Sequence, residues 1–234
     1  MFLKKISSSL ARPTLDDCTT TVSAPEGLSA IHQPTCAATV WQRDPLPRFQ
    51  RWIDALPPEQ LPKTRMILRP EAVCDALIHA TREQGMPECS DRNLLIEDAS
   101  ALSSIFASVM NSAYIRLRLD VVNTNACRKF HIDAVTARLV CTYRGTGTHY
   151  GLSENGHDPQ EIMTVPTGSA IVLRGTRWPE SPLSGLLHRS PRLPAQVKPD
   201  CCWCSTRLKP RTKTPRAHIC TDLDVIGLSP HSPP

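Results

Sequence analysis

Apolar positions recur at two different periods along this chain, and the change of period divides it. In the first half the spacing is helical. Phe49-Gln50-Arg51-Trp52-Ile53-Asp54-Ala55-Leu56 reads as a short amphipathic helix stopped by Pro57-Pro58. From Pro70 to Ala80 a proline occupies the first turn, and Val73, Leu77 and Ile78 share one face. A third helix is predicted from about Asp98 to Ser112, with Leu102, Ile105, Phe106 and Val109 as its apolar stripe. At Tyr114 the period becomes two. Ile115, Leu117, Leu119 and Val121 alternate with Arg116, Arg118 and Asp120, the signature of a half-buried strand.

Strand signals then continue. Ala137-Arg138-Leu139-Val140-Cys141-Thr142-Tyr143 is rich in β-formers, and Gly145-Thr146-Gly147-Thr148 marks a turn. Pro166-Thr167-Gly168 precedes the apolar run Ala170-Ile171-Val172-Leu173, and Gly185-Leu186-Leu187-His188 ends another. The expected architecture is α+β: a helical N-terminal half, residues 31–113, packed on a C-terminal jelly-roll barrel, residues 114–226. Residues 1–30 and 227–234 are expected to be loose tails. The basic, Ser-rich start from Met1 to Pro13 lacks the apolar stretch of a secretory signal and reads as a frayed terminus.

The candidate chemistry lies in Cys127-Arg128-Lys129-Phe130-His131-Ile132-Asp133 and, far downstream, His188-Arg189-Ser190-Pro191. Two imidazoles and one carboxylate can occupy one face of an octahedral metal and leave the other face open. Residues i and i+2 of a strand point to the same side, so His131 and Asp133 can reach one ion. His188 can complete the set from a neighbouring strand. The same donors suit zinc as well as iron.

Several stretches resemble the bacterial family catalogued as domain of unknown function 1826. They are Ala126 to Asp133, Arg138-Leu139, Cys141 to Thr148, Pro166-Thr167-Gly168, Gly175, His188 to Pro191 and Leu223-Asp224, with Val40-Trp41-Gln42-Arg43 near the start. The His-x-Asp…His pattern is also similar to that of iron- and 2-oxoglutarate-dependent oxygenases, whose double-stranded β-helix is cupin-like. That similarity implies Fe(II) and 2-oxoglutarate as cofactors, and a cation for the distal carboxylate of the cosubstrate. Arg216 ranks first for that role and Arg144 second, with Tyr143 as a further cosubstrate contact. Arg189 follows a ligand directly, so its side chain should point the other way. The alternative is a non-catalytic metal-binding or metal-sensing protein on the same barrel, with zinc or iron.

Composition adds limits. The 234 residues are 40% hydrophobic and 21% charged, enough for a substantial core, and no apolar run approaches the ~20 residues of a membrane span. A net charge of +5 does not argue for nucleic acid. The expected partner is a small-molecule or protein substrate in the cytoplasm. Ten cysteines without a secretory signal suggest reduced thiols, with Cys74, Cys127, Cys141 and Cys220 as small core residues. Cys127 as a nucleophile with His131 is a weaker reading. Between Arg192 and Arg216 lie Lys198, Arg207, Lys209, Arg211 and Lys213, with Asp200 as the only acid. This stretch also carries Cys201, Cys202 and Cys204. A zinc site with His218 or Cys220 would need better spacing, so residues 192–215 read as a solvated basic loop or insertion.

Overall fold

The structure is a computed structural model, and it describes residues 14–122, 129–153, 156–179, 184–191 and 218–225. Its elements in chain order begin with α1 (Leu15–Cys18), β1 (Thr19–Val22), a 3-10 helix (Pro25–His32), β2 (Ala38–Trp41), α2 (Pro47–Ala55) and β3 (Thr64–Leu68). The long helices α3 (Val73–Glu83) and α4 (Ser90–Val109) follow. Then come β4 (Ile115–Val122), β5 (Ala137–Arg144), β6 (His149–Leu152), β7 (Met163–Thr164), β8 (Ala170–Arg174), β9 (Leu186–Arg189) and β10 (His218–Val225).

Seven strands form one sheet in the order β1-β2-β8-β5-β10-β4-β3, and three form a second in the order β7-β6-β9. Among the described strands only β1 and β2 pair parallel; the other pairings are antiparallel. The period-two reading of β4 holds: Ile115, Leu117, Leu119 and Val121 are all buried. They join Leu139, Cys141, Tyr143, Ala170, Val172 and Leu223 in a core shared with the helices, which supply Phe49, Ile53, Leu77, Leu95, Leu102 and Phe106. Fully burying a side chain such as Leu117 or Phe106 contributes roughly 1.5–3 kcal/mol. On the other face of the large sheet, Ala38, Val40, Val140, Ile171 and Leu173 meet Tyr150 and Leu186 of the small sheet.

Four expectations need correction. The described strands make two facing sheets rather than a closed barrel. The N-terminal half is not simply helical, since β1, β2 and β3 belong to the large sheet. Those strands have only four or five residues, and β2 is buried at three successive positions instead of alternating. Residues 15–32 are also not a loose tail: Leu28 and Ile31 are fully buried, and the Arg174 guanidinium donates to the carbonyls of Ile31, Gln33 and Pro34. The third helix begins at Ser90, earlier than its apolar stripe suggested, with Cys89 as the N-cap. No helix among the described residues is long and apolar enough to cross a membrane.

Candidate metal centre

Backbone pairing brings the two histidines together. His131 and His188 face each other across an isolated antiparallel bridge, with N–H to O distances of 3.1 and 3.0 Å. Directly paired residues project to the same side, so the imidazoles lie 4.7 Å apart between ring centres. On β9 the alternation puts His188 on the inward face with Leu186, while Leu187 and Arg189 face the other way. Arg189 stacks over the Phe130 ring at 4.2 Å, as its position after a ligand implied.

Asp133 follows the bridge and is held by its main chain. Its carbonyl accepts from Thr176 N–H at 2.8 Å, and the next residues bond to Gly175 and Arg177. Gly175 leaves no room for a side chain, because an added Cβ would overlap the Val135 carbonyl oxygen and lie 2.8 Å from that of Asp133. This cradle aims the Asp133 carboxylate at both imidazoles. Oδ2 stands 2.9 Å from His188 Nε2, and Oδ1 stands 3.5 Å from His131 Nε2. One ligand atom from each residue lies within 4.8 Å of the others.

The electrostatics favour a charged carboxylate. Burial opposes ionisation of Asp133, but hydrogen bonds from His131 and His188 and the charges of His188 and Arg138 outweigh it. Its carboxyl therefore titrates well below the ordinary range. The hydrogen bond to Asp133 raises the His131 pKa, against the opposing effect of burial. His131 Nδ1 donates to the Lys129 carbonyl at 3.0 Å, so Nε2 is the atom turned toward Asp133. His188 and Asp133 are mostly buried, whereas the His131 side chain is 40% exposed, so the group opens to solvent on the His131 side.

A row of charges adjoins the three residues. Arg138 on β5 lies 3.0 Å from Asp133 Oδ2 and 2.8 Å from Asp224 Oδ1 of β10. Asp224 is in turn 3.7 Å from Arg116 Nη1 of β4. Strand register places Arg138, Asp224 and Arg116 side by side across three strands. Burial raises the Asp224 pKa, while Arg138 pulls it down. In the sequence Arg116 reads only as the solvent side of a half-buried strand, and neither Arg138 nor Asp224 stands out as a site residue. The available signal was charge on the non-core face of β4, matched by charge at the same level of β5 and β10.

The other expected site residues fall elsewhere. Tyr143 is on the helix side of the large sheet, fully committed to the core, and its hydroxyl donates to Asp98 Oδ2 at 2.9 Å. Arg144 is at the far end of β5 from Arg138, about 20 Å away at the rise of an extended strand. It is buried and donates to the Leu56 carbonyl at 2.7 Å. Neither can contact a ligand at the triad. Cys74 is exposed, not a core residue, because α3 turns it away from the sheet; Cys141 is buried as expected. Arg216, Cys127, Cys201, Cys202, Cys204 and the segment 192–215 lie outside the described residues.

Comparison with known proteins adds the family. Residues 23–199, most of the chain, match the family described as "Protein of unknown function (DUF1826)". The chain belongs to this family. No curated protein matches it. Among solved structures, this family member is similar to the dioxygenase for auxin oxidation 1 from Arabidopsis thaliana in a 2-oxoglutarate complex. That pair shares 9% identity over 92% of this chain and 94% of the other, with a TM-score of 0.45. It is also similar to a full-length Neurospora crassa protein in complex with alpha-KG, at 14% identity, 92% and 87% coverage and a TM-score of 0.39. A 2OG-Fe(II) oxygenase family oxidoreductase from Burkholderia pseudomallei gives 10% identity, 89% and 95% coverage and a TM-score of 0.37. These are distant likenesses.

Proposed function

We propose that His131, Asp133 and His188 hold a divalent metal, and that the protein is a non-haem iron, 2-oxoglutarate-dependent dioxygenase-like protein acting on a small molecule or protein. The observation that carries this reading is the meeting of two imidazoles and a charged carboxylate at one partly open point. The residues pass a test of fit. Bonds of about 2.1 Å at right angles put neighbouring ligand atoms about 3 Å apart; Asp133 Oδ2 and His188 Nε2 stand at 2.9 Å, and one ligand atom from each of the three residues lies within 4.8 Å of the others. Asp133 is mostly buried and its carboxyl is held ionised, so it offers a charged oxygen donor beside the two imidazoles.

Iron(II) bound there would supply open positions at which a 2-oxo acid and O₂ can react. The protein's own groups have distinct tasks. The Lys129 carbonyl fixes the His131 ring so that Nε2 stays a ligand. Main-chain pairing sets the separation of the two imidazoles. Arg138 positions Asp133 and balances its charge. For the distal carboxylate of a dicarboxylate ligand, Arg116 replaces Arg144 as the candidate cation among the described residues. Its side chain is 26% exposed, and Asp224 holds it only at 3.7 Å, so it can turn to a new anion.

Anaerobic addition of Fe(II) and 2-oxoglutarate tests the reading. A weak visible charge-transfer band that needs both components, and that is diminished in Arg116→Gln, is the expected result. Absence of the band together with tight retention of zinc would replace the enzyme by a metal-binding or metal-sensing protein.

A further inference from the structure

A second site lies on the opposite face of the large sheet from the triad. There a cavity of about 210 Å³ opens between the β2–α2 connection, α4 and β5. Pro45, Leu46, Phe49 and Leu94 form its apolar wall, and Leu46 is 61% exposed at the rim. Its volume lies between the ~150 Å³ that accepts a benzene ring and the ~300 Å³ at which drug-sized sites begin. The guest is therefore a single ring or a short branched chain.

The polar groups of the cavity decide its chemistry, because their donors are nearly all spent. Arg43 donates through Nε to the Gly168 carbonyl at 2.8 Å and through both Nη atoms to Asp98, at 2.6 and 3.1 Å. Its Nη2 also reaches Cys141 Sγ at 3.3 Å, which leaves one Nη1 hydrogen. The Tyr143 hydroxyl donates to Asp98. Gln50 uses its amide hydrogens on Asp54 and on the Tyr143 carbonyl, both at 3.1 Å. Since those two partners can only accept there, the orientation of the amide is settled, and Gln50 Oε1 is left buried without a partner. Asp98 is one-third exposed, and Oδ1 receives only the Arg43 bond. Two carboxylates, Asp44 and Asp98, stand against one guanidinium.

We propose that this cavity is a binding site for a small organic cation: an ammonium or amidinium on an apolar body of about one ring. The cation donates to the exposed side of Asp98, and its body lies against Phe49 and Leu46. A carboxylate or phosphate meets two acids and almost no free donor, so 2-oxoglutarate is excluded here. The site is separate from the metal centre, because Tyr143 and Cys141 point away from the face that carries Arg138.

The test uses benzylammonium as the cation and phenylacetate as the anion of similar shape, followed through the methyl resonances of Leu46 and Leu94 in the full chain. Benzylammonium should shift both and saturate with a Kd on the order of 1 mM, as expected for so few atoms, and phenylacetate should not. Leu46→Lys, at an exposed position, should weaken the cation on the order of tenfold by like-charge repulsion. Asp133→Ala should leave it unchanged. Equal binding of phenylacetate, no shift at Leu46 and Leu94, or an unchanged Kd in Leu46→Lys would overturn the proposal.

Discussion

Asp133→Ala separates a metal ligand from a structural carboxylate, and the structure sets the size of both effects. The substitution removes contacts at 2.9 Å to His188 and 3.0 Å to Arg138. A buried cation stranded by such a change would cost about 3–5 kcal/mol. Arg138 is not stranded, because Asp224 remains 2.8 Å away. The main-chain bond from Thr176 to the Asp133 carbonyl also survives. The expected loss of stability in metal-free protein is therefore about 1–2 kcal/mol. The advantage of the native protein has a defined pH dependence. The Asp133 pKa is lowered on folding, so its contribution is present above the unfolded value near 4 and is lost only as pH falls far below it. Metal affinity should respond much more strongly. Changes to groups outside the ligand set already cost about 10–100-fold, so loss of a charged ligand should exceed about 100-fold. Metal content by mass spectrometry, beside denaturant unfolding of the metal-free forms, measures both quantities. Unchanged metal stoichiometry would refute the ligand assignment. Collapse of the fold would instead make Asp133 a structural partner of Arg138 and the histidines.

Gly175→Ala should lower metal affinity without touching a ligand, since the new Cβ must displace the Val135 carbonyl and with it Asp133; an affinity equal to that of the native protein would show that the cradle does not position the carboxylate. Cys141 is fully buried and burial pushes its thiol up to about 12, so it should resist alkylation at pH 8 while exposed Cys74 reacts, as peptide mass mapping would show. The raised pKa means that stability from Cys141 is present below the unfolded value near 9. It is lost as pH rises toward 12, by about 1.4 kcal/mol per pH unit relative to Cys141→Ala. Arg144→Gln should leave 2-oxoglutarate binding to the metal-loaded protein unchanged in calorimetry, because Arg144 faces the Leu56 carbonyl; a large loss would return Arg144 to the site.

Much of this architecture was legible residue by residue. The alternation in β4 named its four buried residues, because a half-buried strand writes its burial directly into period two. His131, Asp133 and His188 were legible as a set, because metal chemistry limits which side chains can stand together and on what spacing. Pairing was a different matter. That β2 enters the large sheet beside β8, or that Arg138, Asp224 and Arg116 form one row, depends on strand register between segments more than a hundred residues apart in the first case and in the pairing of β10 with β4. No local signal carries that information. Tyr143 and Arg144 illustrate the same boundary. As letters beside a metal motif they suited a cosubstrate, but β5 is buried on both faces, which erases the alternation that would have told one side from the other. Residue chemistry named the candidates; only the stacking of the two sheets and the helices decided which candidates share a site.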